Sequence, residues 1–402
     1  MSAGPAGTSH PLEIAILTWE YPPASSGLPR AAREVAQALA GAGQTVRVLT
    51  LDRDERGRDG EVEVIGRTIA KGSPLSWLRR RMAAGHLAGP RAFRALLLDE
   101  HRRRPFDIAE ATNWFAPGLL VALRGPVPLV TRNSTPATIG KHARASLRDR
   151  LDGQFLDALE RRSAKASAGL ISNTEAHRER IRRFYGLEGE AIHEAIAPPV
   201  DPDMLVRGRA ASYPEAVEPV RFVFIGRPDH RKGFDAITDA LVAMAKDGAE
   251  PNRFVLRLVG TAEDALPATL SDGPARALVE PLGRLDDEAL AREMEGAHCI
   301  LAPSRSESFG YVYQEALAYG RPLIACAEDA SARAFVGEPG AGLLAPTCTG
   351  ADIRAAMERI IAEPGLRDGL RERALLAAGR CTREACARDT LAVYARALAQ
   401  GR

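Results

Sequence analysis

Two stretches of the chain hold residues whose types and spacing could do chemistry. The first is Gly226-Arg-Pro-Asp-His-Arg-Lys-Gly233, where an apolar run over 221–226 meets a helical pattern starting at Lys232. A strand feeding a helix here would stand Arg227 and Lys232 at the carboxyl edge of a sheet. Two fixed cations beside helix amides suit a diphosphate, whose charge rises as a bond to it breaks. A plain charged turn is the competing reading. The second stretch is Pro303-Ser-Arg-Ser-Glu-Ser-Phe-Gly-Tyr-Val-Tyr-Gln-Glu-Ala-Leu-Ala-Tyr-Gly320. It follows a strand-like run at 299–302 and opens a helix near Gly310. Glu307 precedes that helix and Glu315 lies inside it, so the two carboxylates cannot share one proton and would grip different parts of a long ligand. The amides of Phe309, Gly310, Tyr311 and Val312 suit a phosphate, and each carboxylate can accept hydrogen bonds from sugar or ribose hydroxyls. Against this, Glu307 would serve only as a helix cap and Glu315 only as a partner of Arg321.

Such residues need a scaffold, and the chain supplies α/β patterning from end to end. Strand-like runs at 13–18, 45–50, 107–110, 128–132, 169–172 and 191–196 alternate with helical segments; a second series runs through 221–226, 254–260, 299–302 and 322–326. The runs are continuously apolar, as expected of parallel strands covered on both faces. Gly41-Ala-Gly43 stops a helix and precedes a strand, so it is not a dinucleotide loop. Between 197 and 219 the periodicity lapses into APPVDPD and scattered Gly and Pro. The reading is a tail over 1–12, a first Rossmann-like domain over 13–200, a connection over 201–219 and a second such domain over 220–381, with a final helix at about 382–400 packed back on the first. Doubly wound sheets bind ligands beyond the carboxyl ends of their strands, which points to a cleft between two such domains.

Composition bounds the partners. The 402 residues carry 54 Lys plus Arg against 52 Asp plus Glu, a net +2, with 45% hydrophobic residues. That balance excludes a disordered chain and a nucleic-acid binder. Only five of the basic residues are lysines, Lys232 among them. The five cysteines form no CxxC pair and the amino terminus has no signal-peptide pattern, which fits a reducing cytoplasmic compartment. No run of 18 apolar residues could span a membrane. The basic WLRRR at 77–81 and the 141–183 segment, with eleven basic and six acidic residues, read as solvated helix faces. Asp52-Arg-Asp54 and Asp201-Pro-Asp203 are the only DxD triplets; both read as loop carboxylates. His230 reads as a loop residue, His298 as core, and His142 and His177 as members of polar helices.

The two stretches carry a resemblance. ESFGYVYQEALAYGRPL, with two glutamates in its EX7E spacing, and GRPDHRKGFD resemble the signatures of the family 4 retaining glycosyltransferases of GT-B fold. LTWEYPPASSGLPRAAREVAQALAGAGQTVRVLT is similar to that family's amino-terminal strand, glycine loop and helix, and Pro281-Leu-Gly-Arg-Leu285 to its base-contacting segment. The resemblance spans nearly the whole chain in order. It implies two Rossmann-like domains with parallel sheets facing a central cleft, a UDP- or GDP-sugar donor as co-substrate, no cofactor and no metal. It further implies that Arg227 and Lys232 neutralise the donor diphosphate, and that Glu307, with the amides of Phe309 and Gly310, positions the hexose. Ser308, Tyr311 and Val312 would complete the donor contacts, Glu315 would hold the ribose, and Gly283 and Arg284 would flank the base. Gly27 would let backbone approach the diphosphate, with Ser26 in place of a first glycine.

The family's reaction retains the anomeric configuration, most simply by front-face attack in which the leaving phosphate accepts the acceptor's proton. Many relatives carry a histidine near the end of the 128–132 strand; this chain offers Asn133 and Ser134, the acceptor-side candidates. An acceptor that is already a good nucleophile needs less help, which brings a thiol forward beside a small soluble secondary metabolite. Two other classes compete: a catalytically silent nucleotide-sugar sensor, and a GT-B phosphorylase or epimerase.

Overall fold

A computed structural model describes residues 10–24, 27–69, 83–139, 146–189, 191–215 and 218–400. The first nine residues of the expected tail, Ser26, the 77–81 basic stretch, Lys141 and His142 lie outside them. The chain divides into two units, Met1–Pro199 with Cys381–Arg402 and Val200–Arg380.

The first unit is built on an eight-stranded sheet. Its strands are β1 (Glu13–Thr18), β2 (Thr45–Thr50), β3 (Arg56–Asp59), β4 (Val62–Gly66), β5 (Ile108–Thr112), β6 (Leu129–Arg132), β7 (Gly169–Ser172) and β8 (His193–Ala195), in the order β3-β4-β2-β1-β5-β6-β7-β8. All neighbours are parallel except the β3–β4 hairpin. Alternate residues of β1 explain the continuous apolar run. Ile14 and Ile16 join Val35 and Leu39 of α1 (Gly27–Gly41), while Ala15 and Leu17 face Phe93, Leu96 and Leu97 of α2 (Ala88–Arg103). Further helices are α3 (Leu119–Arg124), α4 (Leu147–Ala166) and α5 (Glu175–Tyr185).

The second unit opens with α6 (Pro202–Ala210), in the segment expected to be an irregular connection. Its prolines and glycine look like breaks, but Asp201 accepts from the Asp203 amide at 3.0 Å and Pro202 takes the first helical turn, where it costs no hydrogen bond. Met204 and Leu205 then pack on the unit's core. The six strands are β9 (Val220–Ile225), β10 (Phe254–Val259), β11 (Val279–Gly283), β12 (Cys299–Leu301), β13 (Leu323–Cys326) and β14 (Gly342–Ala345), in the order β11-β10-β9-β12-β13-β14 and all parallel. The principal helices are α7 (Phe234–Lys246), α8 (Asp287–Gly296), α9 (Tyr311–Ala318), α10 (Gly350–Ala362) and α11 (Pro364–Ala377). Among the parallel strands of each sheet the order reverses once, between β1 and β5 and between β9 and β12. Those switch points are where loops diverge and leave room for a ligand.

The last helix, α12 (Arg383–Gln400), returns to the first unit, where Val393, Tyr394 and Ala397 join the core around Ile14 and Leu39. A buried polar knot anchors it. Arg132 donates to both oxygens of Glu110 at 2.7 and 3.0 Å and to Thr390 Oγ1 at 3.0 Å, and the Tyr394 hydroxyl donates to Glu110 at 2.9 Å. Glu110→Ala leaves Arg132 buried without its carboxylate and should destabilise the protein by about 3–5 kcal/mol. Arg396→Ala removes only a partly exposed pair with Glu194 and should cost no more than about 1 kcal/mol. Urea unfolding of the two variants checks the contrast.

Candidate functional site

The loops leaving β9 and β12, neighbours at the switch point of the second sheet, are the two stretches singled out from sequence. They are fastened together. Arg305 donates to both oxygens of Asp235 at 2.7 and 2.8 Å and to the Cys348 carbonyl at 3.0 Å, and its amide donates to the Arg231 carbonyl at 2.9 Å. Gly233 has φ +73°, and a Cβ there would lie 2.2 Å from the Pro303 carbonyl oxygen and 2.8 Å from Cys348 Sγ. Only glycine lets the loops approach this closely.

Lys232 and Glu307 meet at the centre. Glu307 Oε1 accepts from Lys232 Nζ at 2.5 Å and from Ser304 Oγ at 2.8 Å, while Oε2 accepts from Arg231 Nη1 at 3.0 Å. Burial alone would raise the Glu307 pKa, but the Lys232 and Arg231 charges and the bonds from Lys232 and Ser304 hold it down to about 2. The stability this adds is in place above the unfolded value of 4.5 and is lost as pH falls toward 2. Lys232 is therefore not an isolated cation beside a separate sugar-gripping carboxylate: the two form one unit, with Arg231 as third member. The Glu307 amide donates to Asp329 Oδ1 at 2.9 Å, and Asp329 Oδ2 accepts from Tyr313 at 3.0 Å. Burial pushes the Asp329 carboxyl above its ordinary value, and the Glu307 charge adds to this.

The remaining expected residues fall around this centre unevenly. Arg227 is 81% exposed in its side chain and comes within 3.5 Å of Asp229. Gly310 caps α9, so Glu307 is not that helix's cap. The Phe309 ring is buried, edge-on to Tyr311 at 5.0 Å and to Phe335 at 5.3 Å; Ser308, Tyr311 and Val312 are half-buried. Glu315 is buried on α9, and Arg321 donates instead to the carbonyls of Met294, Ser212 and Glu295 at 2.8, 2.8 and 2.9 Å. Gly283 ends β11, where it exchanges backbone bonds with Gly260 and Thr261, and Arg284 beside it is exposed. Sequence reasoning missed Arg231, Ser304, Arg305 and Asp329. The first three lie inside the motifs, but the partners of Arg231 and Arg305 lie in the other motif, 76 and 70 residues away, and only the fold brings them together.

In the first unit, Gly27 is the exposed first residue of α1. Asn133 is buried; its Nδ2 donates to the Ile171 carbonyl at 3.0 Å and to Ser172 Oγ at 3.3 Å, while its Oδ1 has no hydrogen-bond partner among the described residues. Ser134 is half-buried and donates, from amide and hydroxyl, to Asn113 Oδ1 at 2.6 and 3.0 Å. Next to Asn113, Phe115 and Ala116 hold left-handed φ values of 57° and 47°. Non-glycine residues pay about 1–3 kcal/mol each for this and cluster at functional sites. His177 is buried rather than on a polar face; burial and nearby Arg180 bring its pKa down to about 3, so the ring is neutral. Of the DxD residues, Asp201 caps α6 and Asp52 accepts from the Tyr21 amide at 3.0 Å.

Two doubly wound units, each with a loop-lined switch point and the second bearing a paired carboxylate and cations at a helix start, define a GT-B glycosyltransferase. Residues 219–363 match the model for glycosyl transferases group 1, and residues 26–194 that for a glycosyl transferase 4-like domain. The chain is 28% identical over 385 residues to a D-inositol 3-phosphate glycosyltransferase of Jonesia denitrificans, covering 90% of this chain and 89% of that one. It is 30% identical over 315 residues to the protein of that name from Streptomyces bingchenggensis, covering 74% and 68%. Sucrose-phosphate synthase from Thermosynechococcus elongatus shares the fold, with a TM-score of 0.72 at 21% identity, covering 97% of this chain and 100% of that one. The chain belongs to the family 4 glycosyltransferases. Among the described residues no helix is long and apolar enough to cross a membrane.

The loop contact at Gly233 generates a paired test. A Cβ at Gly283, φ +64°, would meet nothing within 4 Å, so Gly283→Ala should cost only the left-handed penalty of about 1–2 kcal/mol. Gly233→Ala should cost more, because the Pro303 backbone must also shift; urea unfolding of both variants reads the difference.

Proposed function

We propose that this glycosyltransferase transfers a sugar from a UDP- or GDP-sugar to a small soluble acceptor, with retention of configuration and without a metal. The observation that carries the reading is the cluster of Lys232, Arg231 and Glu307 at the β9/β12 switch point: two cations on one carboxylate leave a net positive charge beside the start of α9. A diphosphate is the ligand such a place suits.

In this reading Lys232 and the more exposed Arg227 meet the donor diphosphate, and the α9 amides donate hydrogen bonds to its second phosphate. Glu307, ionised, holds Lys232 and offers its remaining lone pairs to the hexose hydroxyls. Glu315 would take the ribose, and Gly283 and Arg284 the base. The bond from the anomeric carbon to the β-phosphate oxygen breaks while the acceptor oxygen adds on the same face, and that phosphate oxygen takes the acceptor's proton. The charge growing on the diphosphate is what Lys232 stabilises, so no separate general base is required. The names of the relatives make a cyclitol phosphate the first acceptor to try. A thiol is the second, motivated by Asn133 and Ser134 standing near the end of the 128–132 strand in place of a histidine, and transfer to a cyclitol hydroxyl would eliminate it.

Thermal unfolding with UDP and with GDP, then with their sugars, tests the donor. The base that binds should raise the melting temperature, by an amount corresponding to about 2.7 kcal/mol at 100 times its Kd; no shift with either would refute the reading. Lys232→Ala should lower kcat by about 100-fold or more, the cost of removing one donor from a developing oxyanion. Near-normal turnover of that variant in steady-state assays would remove Lys232 from the mechanism.

A further inference from the structure

Glu160, on α4, is fully buried, yet among the described residues none of its hydrogen-bond partners is a cation. This sets it apart within its unit, where buried Glu34 pairs with Arg383, Glu100 with Arg56 and Arg103, and Glu110 with Arg132. Its bonds run instead to two loops and one neighbouring helix. Oε1 accepts from the Phe115 amide at 3.0 Å and the Ala137 amide at 3.3 Å, and Oε2 accepts from the Tyr185 hydroxyl at 2.8 Å.

Those two amides belong to the loops that leave the carboxyl ends of β5 and β6. The β5 loop stands at the switch point of the first sheet, where a doubly wound domain receives its ligand. The same loops are tied a second time. Asn113 Oδ1 accepts from the Ser134 amide and hydroxyl, and Asn113 Nδ2 donates to the Ser134 carbonyl at 3.3 Å and to Tyr185 Oη at 2.8 Å. Tyr185 thus links Asn113 to Glu160. At the centre of this network the chain runs through the left-handed Phe115 and Ala116, a conformation that persists only where its surroundings over-determine it.

We infer that Glu160 is a positioning residue for the acceptor side of the reaction, holding the β5 and β6 loops in one shape through a single carboxylate. The inference rests on the proposed transfer reaction, with the first unit, which carries the acceptor-side candidates Asn133 and Ser134, taken to receive the acceptor. An apolar residue would fill the same space on α4 more cheaply, because a buried carboxylate without a cation is costly. Burial holds the Glu160 pKa up at about 7, a measure of that cost. A buried carboxylate is what these two loop amides require, one of them on the left-handed Phe115, since each would otherwise be left unpaired.

Amide hydrogen exchange of the full chain tests this for Glu160→Ala, Glu160→Gln and Tyr185→Phe. Glu160→Ala should speed exchange about 10-fold or more in peptides covering 113–117 and 133–137, with 220–259 unchanged. Glu160→Gln, whose side-chain oxygen can still accept from both amides, should restore most of the protection. Should the alanine variant lose protection throughout the first unit, the glutamine and phenylalanine variants decide by whether their changes stay within the two loops. In transfer assays with inositol 3-phosphate as acceptor, Glu160→Ala should raise the acceptor KM about 10-fold or more, while kcat and the nucleotide-induced melting shift stay near wild type. Unchanged exchange in the loops, or faster exchange with an unchanged acceptor KM, would overturn the proposal. If the wild-type protein transfers nothing to inositol 3-phosphate, the acceptor reading falls, and exchange alone still decides whether Glu160 holds the loops.

Discussion

A carboxylate taken out of water must be paired or protonated, and Glu307 is paired twice. Lys232 and Arg231 come to it from a loop 75 residues earlier, across the boundary between β9 and β12. Much else in the second unit follows from that meeting. The loops have to touch, so Gly233 must lie against Pro303; they have to stay in register, so Arg305 clamps Asp235. The strand order has to reverse at this point, because only there do two loops diverge from adjacent strands with space between them. Glu307 also sets the charge of the site. Its ionised form leaves one net positive charge from the three side chains, so that no unmatched pair of cations is buried.

The first unit solves a similar problem differently. Arg132 and Glu110 are buried together and recruit Tyr394 and Thr390 from the carboxyl-terminal helix, so the ion pair serves attachment rather than ligand binding. Segments more than 250 residues apart in sequence are joined by hydrogen bonds whose loss would strand a charge in the core. Apolar packing of Val393 and Ala397 supplies the area, and the polar knot supplies the registration.

The elements that could be read from sequence are those whose signal is local. Parallel strands covered on both faces announce themselves as apolar runs, and β1, β2 and β7 have the bounds that the runs predict. The β3–β4 hairpin escaped because Arg56–Asp59 is a charged, mostly exposed edge strand without an apolar face. The helix α6 escaped because Asp201-Pro202 reads equally as a break and as a helix start. At the site, Lys232 and Glu307 were visible as chemistry, but their pairing was not, since nothing in local spacing specifies a contact across 75 residues. Asn133 shows the same limit: nothing in local spacing says that its Nδ2 bonds to the Ile171 carbonyl and Ser172 Oγ of the neighbouring strand, or that its Oδ1 is buried without a hydrogen-bond partner among the described residues.

The same reasoning explains why the donor side is easier to read than the acceptor side. A diphosphate needs cations and amides whatever sugar it carries, so its binding residues recur as a motif that spacing can expose. An acceptor is recognised by the shape of loops; in the first unit, proposed to receive it, the β5 and β6 loops are held by a buried acid, two left-handed non-glycine residues and an asparagine that bridges them. None of these has a sequence signature of its own. Glu160 looks like any helical glutamate, and Phe115-Ala116 like any apolar pair. Their meaning comes only from where they meet, at the carboxyl end of β5. On the proposed reading, exchanging exposed side chains on these loops changes which acceptor fits, whereas altering the buried set beneath them weakens the hold on every acceptor alike.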